Sequence, residues 1–312
     1  MIYLDYNATT PCDPRVVEAM EPFLRERFEN PSSLYQGSRE NKKAIEKARQ
    51  QVARLLDCLP EEVFFTSGGT EADNWAIKST AWMLREKGRQ IITSRIEHHA
   101  VLNTCAFLEK QGFQVTYLPV DHEGLVDLQA LKNAVTSQTI LVSIMHANNE
   151  IGTIQPIEEI AAFLKEKGII FHTDAVQTTG KLSFSVKKLG VDMLSLSAHK
   201  FYGPKGVGAL YIRKGLRLFP LIHGGEQEHG RRAGTENVAG IVGLGKAAEL
   251  ALAEREEEEI RVRRWRDLLE EKVRQTIPEV VFNGHREKRL DNTANFCVKY
   301  VEGESMLLSL DL

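Results

Sequence analysis

Five apolar runs in this 312-residue sequence end on residues able to bind a ligand or to hold and move a proton. Ser67-Gly68-Gly69-Thr70 follows Val63–Thr66, and Glu97-His98-His99 stands just beyond Gln90–Ser94. Asn148-Asn149-Glu150 comes after Thr139–Met145, and Asp174 with Gln177 after Ile169–Thr173. Ser197-Ala198-His199-Lys200 closes the run that begins at Asp192. Taken singly, each has a plain structural reading: Asp174 a helix cap, Asn148 and Asn149 a turn, Lys200 a surface lysine, His98 a satisfied core histidine. Gly68-Gly69 alone reads as a strand-to-helix turn. Repetition at successive strand ends points elsewhere, because ligands of open α/β sheets bind beyond the carboxyl ends of the strands. Gathered there, the set fits pyridoxal phosphate, which needs an amine, an acid and an anion cup. Lys200 would condense with the aldehyde, provided its amine is partly uncharged. Asp174 would keep the pyridine nitrogen protonated. Thr70 and Ser197, with main-chain N–H groups near Gly69 at a helix start, would hold the phosphate.

The elements that must position these groups show in hydrophobic period and punctuation. Strands are expected at Val63–Thr66, Gln90–Ser94, Gln114–Leu118, Thr139–Met145, Ile169–Thr173, Asp192–Ser197 and Gly208–Ile212. Amphipathic helices are expected at Glu71–Lys87, Ala100–Gln111, Leu128–Val135 and Ile157–Lys167, the last opened by Pro156, whose missing N–H costs nothing there. TILVSIM over Thr139–Met145 is almost wholly apolar, as a strand covered on both faces should be. The fold class is therefore α/β, a mostly parallel central sheet flanked by helices.

Beyond residue 238 the texture changes. Ala239–Arg274 reads as one long helix. Within it, EREEEEIRVRRWR sets Glu257/Arg261 and Glu259/Arg263 at i,i+4 spacing, which favours a solvated face over an interaction surface. Val280–Phe282 and Thr293–Val301 read as strands of a second, smaller α+β unit. The expected division is a large unit over 15–258 and a small one from 1–14 plus 259–312. Gly240-x4-Gly245-Lys246 has a nucleotide-loop spacing, but Ala247 stands where a hydroxyl should hold magnesium. That stretch is read as a helix start with small residues for close packing. Gly303-Glu304-Ser305 reads as another helix start capped by Ser305. Its apolar residues Met306, Leu307, Leu308 and Leu310 read as a helix interrupted at Leu312, so the small unit is expected to be incomplete.

Composition narrows the class. Lys+Arg number 40 against 43 Asp+Glu, a formal net charge of −3, without the basic excess of a nucleic-acid binder. No apolar run approaches the roughly 18 residues of a membrane span. The first residues lack the pattern of a signal peptide. Cys12, Cys58, Cys105 and Cys297 form no Cys-x-x-Cys pair, so reduced thiols and a cytoplasmic location are expected, with no metal site.

The segments LDYNATTP, FTSGGTEADN, EHHAV, HANNEIGTIQP, HTDAVQT, SAHKFYGPKGVGALY, HGGEQE, RRAGTEN and KYVEGES resemble, in order, the motifs of cysteine desulfurases. Those are fold-type-I pyridoxal phosphate enzymes that release sulfur from L-cysteine. The iron–sulfur-assembly branch is more similar than the selenocysteine-lyase-like branch. The resemblance implies that Lys200 joins the cofactor and moves the substrate Cα proton, while His98 stacks on the ring and assists. It implies Asp174 against the pyridinium, and Gln177 and Asn149 near the ring hydroxyl, Asn149 also near substrate. Thr70, Ser197 and His199 would bind phosphate, joined by Thr235 from a second subunit of a homodimer. Glu226, His229 and Ala233 depart from the usual pattern of that cross-subunit segment.

In the same family terms the products are alanine and an enzyme-bound persulfide, whose sulfur passes to an iron–sulfur scaffold or another acceptor protein. None of the four cysteines matches the family's nucleophile, which lies in a Ser-rich loop beyond the VEGES helix, and the carboxylate-binding arginine is not found either. Cys105 and Cys297 read as buried packing residues. The 312 residues alone are expected to bind cofactor without forming persulfide. Two other readings stay open: another fold-type-I lyase or aminotransferase, such as a selenocysteine lyase, and a non-catalytic partner-binding module.

Overall fold

Residues 2–311 are described by a computed structural model. Two helices come first, α1 (Pro14–Arg25) and α2 (Gln36–Leu56), for neither of which the sequence reading gives bounds. Asp13 caps α1 through its carboxylate, which accepts from the Arg15 N–H, and Pro14 opens the helix. Strand and helix then alternate: β1 (Val63–Thr66), α3 (Gly69–Leu84), β2 (Gln90–Ser94), α4 (His99–Glu109), β3 (Gln114–Leu118), α5 (Leu128–Ala134) and β4 (Thr139–Ser143). There follow α6 (Ile157–Lys167), β5 (Ile170–Asp174), α7 (Val186–Leu189), β6 (Met193–Ser197) and β7 (Gly208–Ile212). A single turn α8 (Gln227–Gly230) precedes the long α9 (Val238–Thr276), then β8 (Val280–Phe282), β9 (Phe296–Val298) and α10 (Gly303–Asp311).

The seven strands β1 to β7 form one sheet in the order β1-β7-β6-β5-β4-β2-β3. Only β7 opposes its neighbours, pairing antiparallel with both β1 and β6. The other contacts are parallel, so β1, β2, β4, β5 and β6 end at the same edge. Alternation along each strand feeds two cores. Phe65, Ile92, Val142 and Leu194 face a core shared with α2, α6 and α9, while Phe64, Ile91, Leu141 and Met193 face α3 and α4. Burying one such side chain contributes about 1.5–3 kcal/mol, and both faces are filled, which pins the strand registers.

The expected mostly parallel α/β sheet is thus present, with boundaries shifted by a few residues. Gly240 and its neighbours open α9, capped by the Asn237 side chain. A side chain at Gly245 would start 2.6 Å from the Ala48 Cα, so this glycine lets α9 lie against α2. Of the two ion pairs expected on α9, Arg263–Glu259 forms, whereas Arg261 takes Glu258 one residue closer.

The carboxyl portion corrects three expectations. Strand β9 covers only Phe296–Val298, because Thr293 is bonded to Asn7 and Tyr300 turns at φ +64°. Cys297 is exposed, since it points away from the Phe282–Phe296 face of a two-stranded sheet that has one covered side. Ser305 lies inside α10; the cap is Glu302, whose carboxylate accepts from the Glu304 and Ser305 N–H groups. The division expected at 258/259 falls within the unbroken α9. Its outermost residues, Met1 and Leu312, lie outside the described ones.

Candidate active site

The turn from β1 into α3 is built to leave donors free. Gly68 has φ +151°, open to glycine, and a side chain at Gly69 would meet the Val176 Cγ2 at 2.6 Å. The first amides of α3 lack intrahelical acceptors, as at any helix start. Around them lies a cleft of about 340 Å³ lined by Thr9, Ser67–Glu71, Ser197, His199, Lys205 and Gly206. Thr70 is exposed to it, Ser197 is buried at the end of β6, and Lys205 adds a positive charge. His199 is held by the Thr9 hydroxyl at 3.1 Å. Burial and then Lys200, Lys205 and Lys181 lower its pKa to about 4, so the ring is neutral at pH 7.

Lys200 ends the short helical turn after β6 and reaches the other end of the chain. Its Nζ donates to the carbonyls of Asn7 and Ala8. Burial lowers the lysine's pKa, and Asp174 and Asp5 pull it back up. The same Asn7 carbonyl accepts from the Gln177 Nε2 at 2.9 Å, and the Gln177 Oε1 accepts from the Lys181 Nζ at 3.2 Å. Lys181 is pushed down to about 7 by burial and by Lys200. Two amines at this point are thus biased toward the uncharged form that condenses with a carbonyl.

Asp174 lies at the end of β5, buried, with its Oδ1 accepting from the Val176 N–H at 2.9 Å. Burial raises its pKa, while that N–H, His98 and Lys200 oppose the rise. Behind it Asp73 and Glu97 are also buried. Desolvation, together with the charge of Asp174, pushes both upward, Glu97 to about 8. Glu97 is therefore a neutral acid at pH 7, whereas Asp174 is the one of the three whose charge His98 and Lys200 favour.

The plain single-residue readings fare unevenly. His98 is exposed rather than a core histidine, and its Nδ1 accepts from the Ala100 N–H at 3.1 Å, capping α4. With Nδ1 accepting, Nε2 is the ring's donor nitrogen. Asn148 does make a turn, accepting from the Glu150 and Ile151 N–H groups, with Asn149 half-buried beside it. Thr235 is exposed and does not line the cleft of its own chain. Sequence reasoning missed Thr9, Lys205 and Lys181. The last was findable, standing four residues past Gln177.

The amine, the buried acid and the donor-lined cleft fit pyridoxal phosphate in number and chemistry. A larger space of about 810 Å³ adjoins Lys200 and Lys181, with Tyr3, Tyr6 and Tyr202 among its walls.

Comparison with known proteins agrees with this chemistry. A family model described as aminotransferase class-V matches residues 2–312. The chain is 59% identical over 311 residues to the cysteine desulfurase IscS of Dictyoglomus turgidum, covering 100% of this chain and 79% of that one. It is 58% identical over 310 residues to IscS of Methanosarcina thermophila, covering 99% and 76%. Among solved structures, a NifS-like protein superposes with a TM-score of 0.97 at 45% identity, over 99% of this chain and 85% of that one. A structure titled SspA in complex with cysteine gives a TM-score of 0.87 at 41% identity, over 100% and 86%.

Proposed function

The chain belongs to the cysteine desulfurases of the aminotransferase class-V family, and from that premise we propose that its residues carry the conversion of L-cysteine to L-alanine around Lys200. When bound, pyridoxal phosphate supplies an electron sink that acidifies the Cα–H of an amino acid. The observation that supports this reading is the meeting of three groups at one sheet edge. They are the Lys200 amine on the Asn7 and Ala8 carbonyls, the buried Asp174, and the donor cleft at the start of α3.

In this reading Lys200 Nζ, released from the carbonyls, takes the Cα proton and returns it to the product carbon. Its lowered pKa keeps a fraction ready to accept that proton. Asp174 holds a proton on the ring nitrogen by charge, and Gln177 and Asn149 orient the ring hydroxyl. Gly69, Thr70, Ser197 and His199 hold the phosphate. His98 would stack on the ring and assist proton transfer at the substrate.

The sulfur leaves to a thiolate, which must be exposed and deprotonated. Burial pushes Cys58 and Cys105 up to about 12 and raises Cys12 as well. Cys297 is exposed but lines neither the space beside Lys200 nor the phosphate cleft. We assign the sulfur-accepting role to none of these four. An iron–sulfur scaffold or other sulfur-accepting protein is the partner in keeping with the IscS relatives.

A homodimer belongs to the same reading, with Thr235 serving the partner's phosphate. Exposed Leu24, Phe28, Leu34 and Tyr35 offer apolar surface for the contact. So does a large unit over 15–258 with a small one from 1–14 and 259–312, supported by the separate β8–β9 sheet. A cytoplasmic location is in keeping with four unpaired cysteines. Among the described residues no helix is long and apolar enough to cross a membrane.

The test is direct. The chain is reconstituted with pyridoxal phosphate, reduced with borohydride and digested, and the adduct is located by peptide mass spectrometry. The adduct is expected on Lys200. An adduct spread over surface lysines, or found elsewhere, would refute the assignment.

A further inference from the structure

We infer that Arg232 is a positioning residue that keeps the Glu71 carboxylate off the first amides of α3 and cancels its charge, so that the cup accepts a dianion. The inference rests on the reading of the cup as the cofactor's phosphate site. Glu71 is the third residue of α3 and lines the cleft itself. A carboxylate at a helix start is drawn to the free amides there. Left to itself it would compete for the donors that a phosphate needs, and would repel that phosphate.

Two bonds prevent this. The Arg232 Nε meets Glu71 Oε1 at 2.8 Å, and Nη2 meets Oε2 at 3.1 Å. Such a planar fork fixes the carboxylate plane, which a lysine cannot do. Oε2 also accepts from the Ser67 N–H at 2.8 Å, so the carboxylate is tied to one donor of the cleft-lining loop and leaves the first amides of α3 free. Burial works against the Glu71 charge, but the Arg232 and Ser67 bonds outweigh it and hold the carboxyl below its ordinary value.

Arg232 comes from 161 residues away, on a segment pinned independently. Glu228 is bonded to Arg49 and to the Phe65 N–H, and Arg231 lies over the Phe64 ring at 4.8 Å. The guanidinium is therefore delivered by a fixed scaffold. The other charged or titratable groups at the cleft are Lys205 and the neutral His199, which leaves Glu71 as its anion.

The experiment measures binding of pyridoxal phosphate, pyridoxal and competing inorganic phosphate to the apoprotein. Wild type is compared with R232Q, R232K, E71Q and the double variant E71Q/R232Q. R232Q should weaken pyridoxal phosphate binding on the order of ten- to a hundred-fold, with pyridoxal itself little affected. Removing the carboxylate as well should restore most of the loss, and E71Q alone should bind within about threefold of wild type. R232K, which keeps charge without the fork, should fall between wild type and R232Q. Equal losses in E71Q and R232Q without recovery in the double variant would mark a purely structural pair and overturn the inference. So would R232K binding as poorly as R232Q. If wild type binds pyridoxal as well as pyridoxal phosphate, the cup reading itself fails, and the inference with it.

Discussion

Arg49 and Glu228 meet by two parallel bonds of 2.8 Å, Nη1 to Oε2 and Nη2 to Oε1, with each side chain only 4% exposed. The guanidinium also donates to the Val63 carbonyl, and the carboxylate accepts from the Phe65 N–H. One pair thus ties α2, β1 and the segment leading to Arg232. It also holds Glu228 at φ +47°, a backbone state disfavoured for a glutamate.

Breaking that pair from one side should be severe, because the remaining charge stays buried. R49M is expected to destabilise the chain by about 3–5 kcal/mol. Denaturant unfolding checks this. The double variant R49M/E228L should lose less than the two single losses added together. Simple additivity would mean that the two side chains act independently.

Glu97 should make the protein less stable as pH rises. Its carboxyl titrates near 4.5 when unfolded and is pushed up to about 8 when folded. The folded state therefore prefers the protonated acid. That preference costs nothing below pH 4.5, and stability then declines until about pH 8, by at most about 1.4 kcal/mol per unit. E97Q mimics the neutral acid, and its Oε1 can still accept from Ser94 Oγ and the Met145 N–H. Its stability should match wild type near pH 5 and exceed it at pH 8.5; parallel pH profiles would contradict the assignment.

His146 should act on the acid side with the opposite sign. Burial lowers its pKa from 6.5 to about 4, so its contribution is complete above pH 6.5 and is lost as pH falls toward 4. H146N can keep a bond to the Thr178 Oγ1, now 3.0 Å from Nδ1. The variant's stability should fall less steeply over that window. A residual slope is expected from His172, lowered to about 3 by the same cause. An unchanged slope would show that His146 does not titrate on unfolding.

Gly245→Ala sets two effects against each other. Helix propensity favours alanine by about 1 kcal/mol. The new methyl, however, would begin 2.6 Å from Ala48 Cα and Cβ, and the Gln51 Oε1 is equally close. Overpacking of this kind costs about 1–3 kcal/mol. A net loss of thermal stability is expected, with the α2–α9 contact as its seat. A gain would show that the two helices can separate cheaply.

The central sheet was readable because apolar runs and burial agree at every strand but the edge strand β3, most of whose residues are only partly covered. Gln90–Ser94, Gln114–Leu118 and Gly208–Ile212 match to the residue. The bounds of helices α1 and α2 escaped for a physical reason. Their buried faces meet α9, far away in sequence, and α2 carries many charges on its other side. Cys297 was misjudged because alternation predicts which face a residue takes, not whether anything covers that face.

By itself, the sequence determined the chemistry on offer and the edge where it collects. A lysine, an acid, a histidine and a glycine turn each end a strand, and parallel strands of one sheet must end together. Tertiary structure alone decided their partners. That the Lys200 amine rests on the Asn7 and Ala8 carbonyls, and that Arg232 neutralises Glu71, follows from no local pattern. These contacts join distant parts of the chain, one of them through main-chain carbonyls, which carry no mark of residue type. Only packing of the elements around filled cores brings such groups within bonding reach.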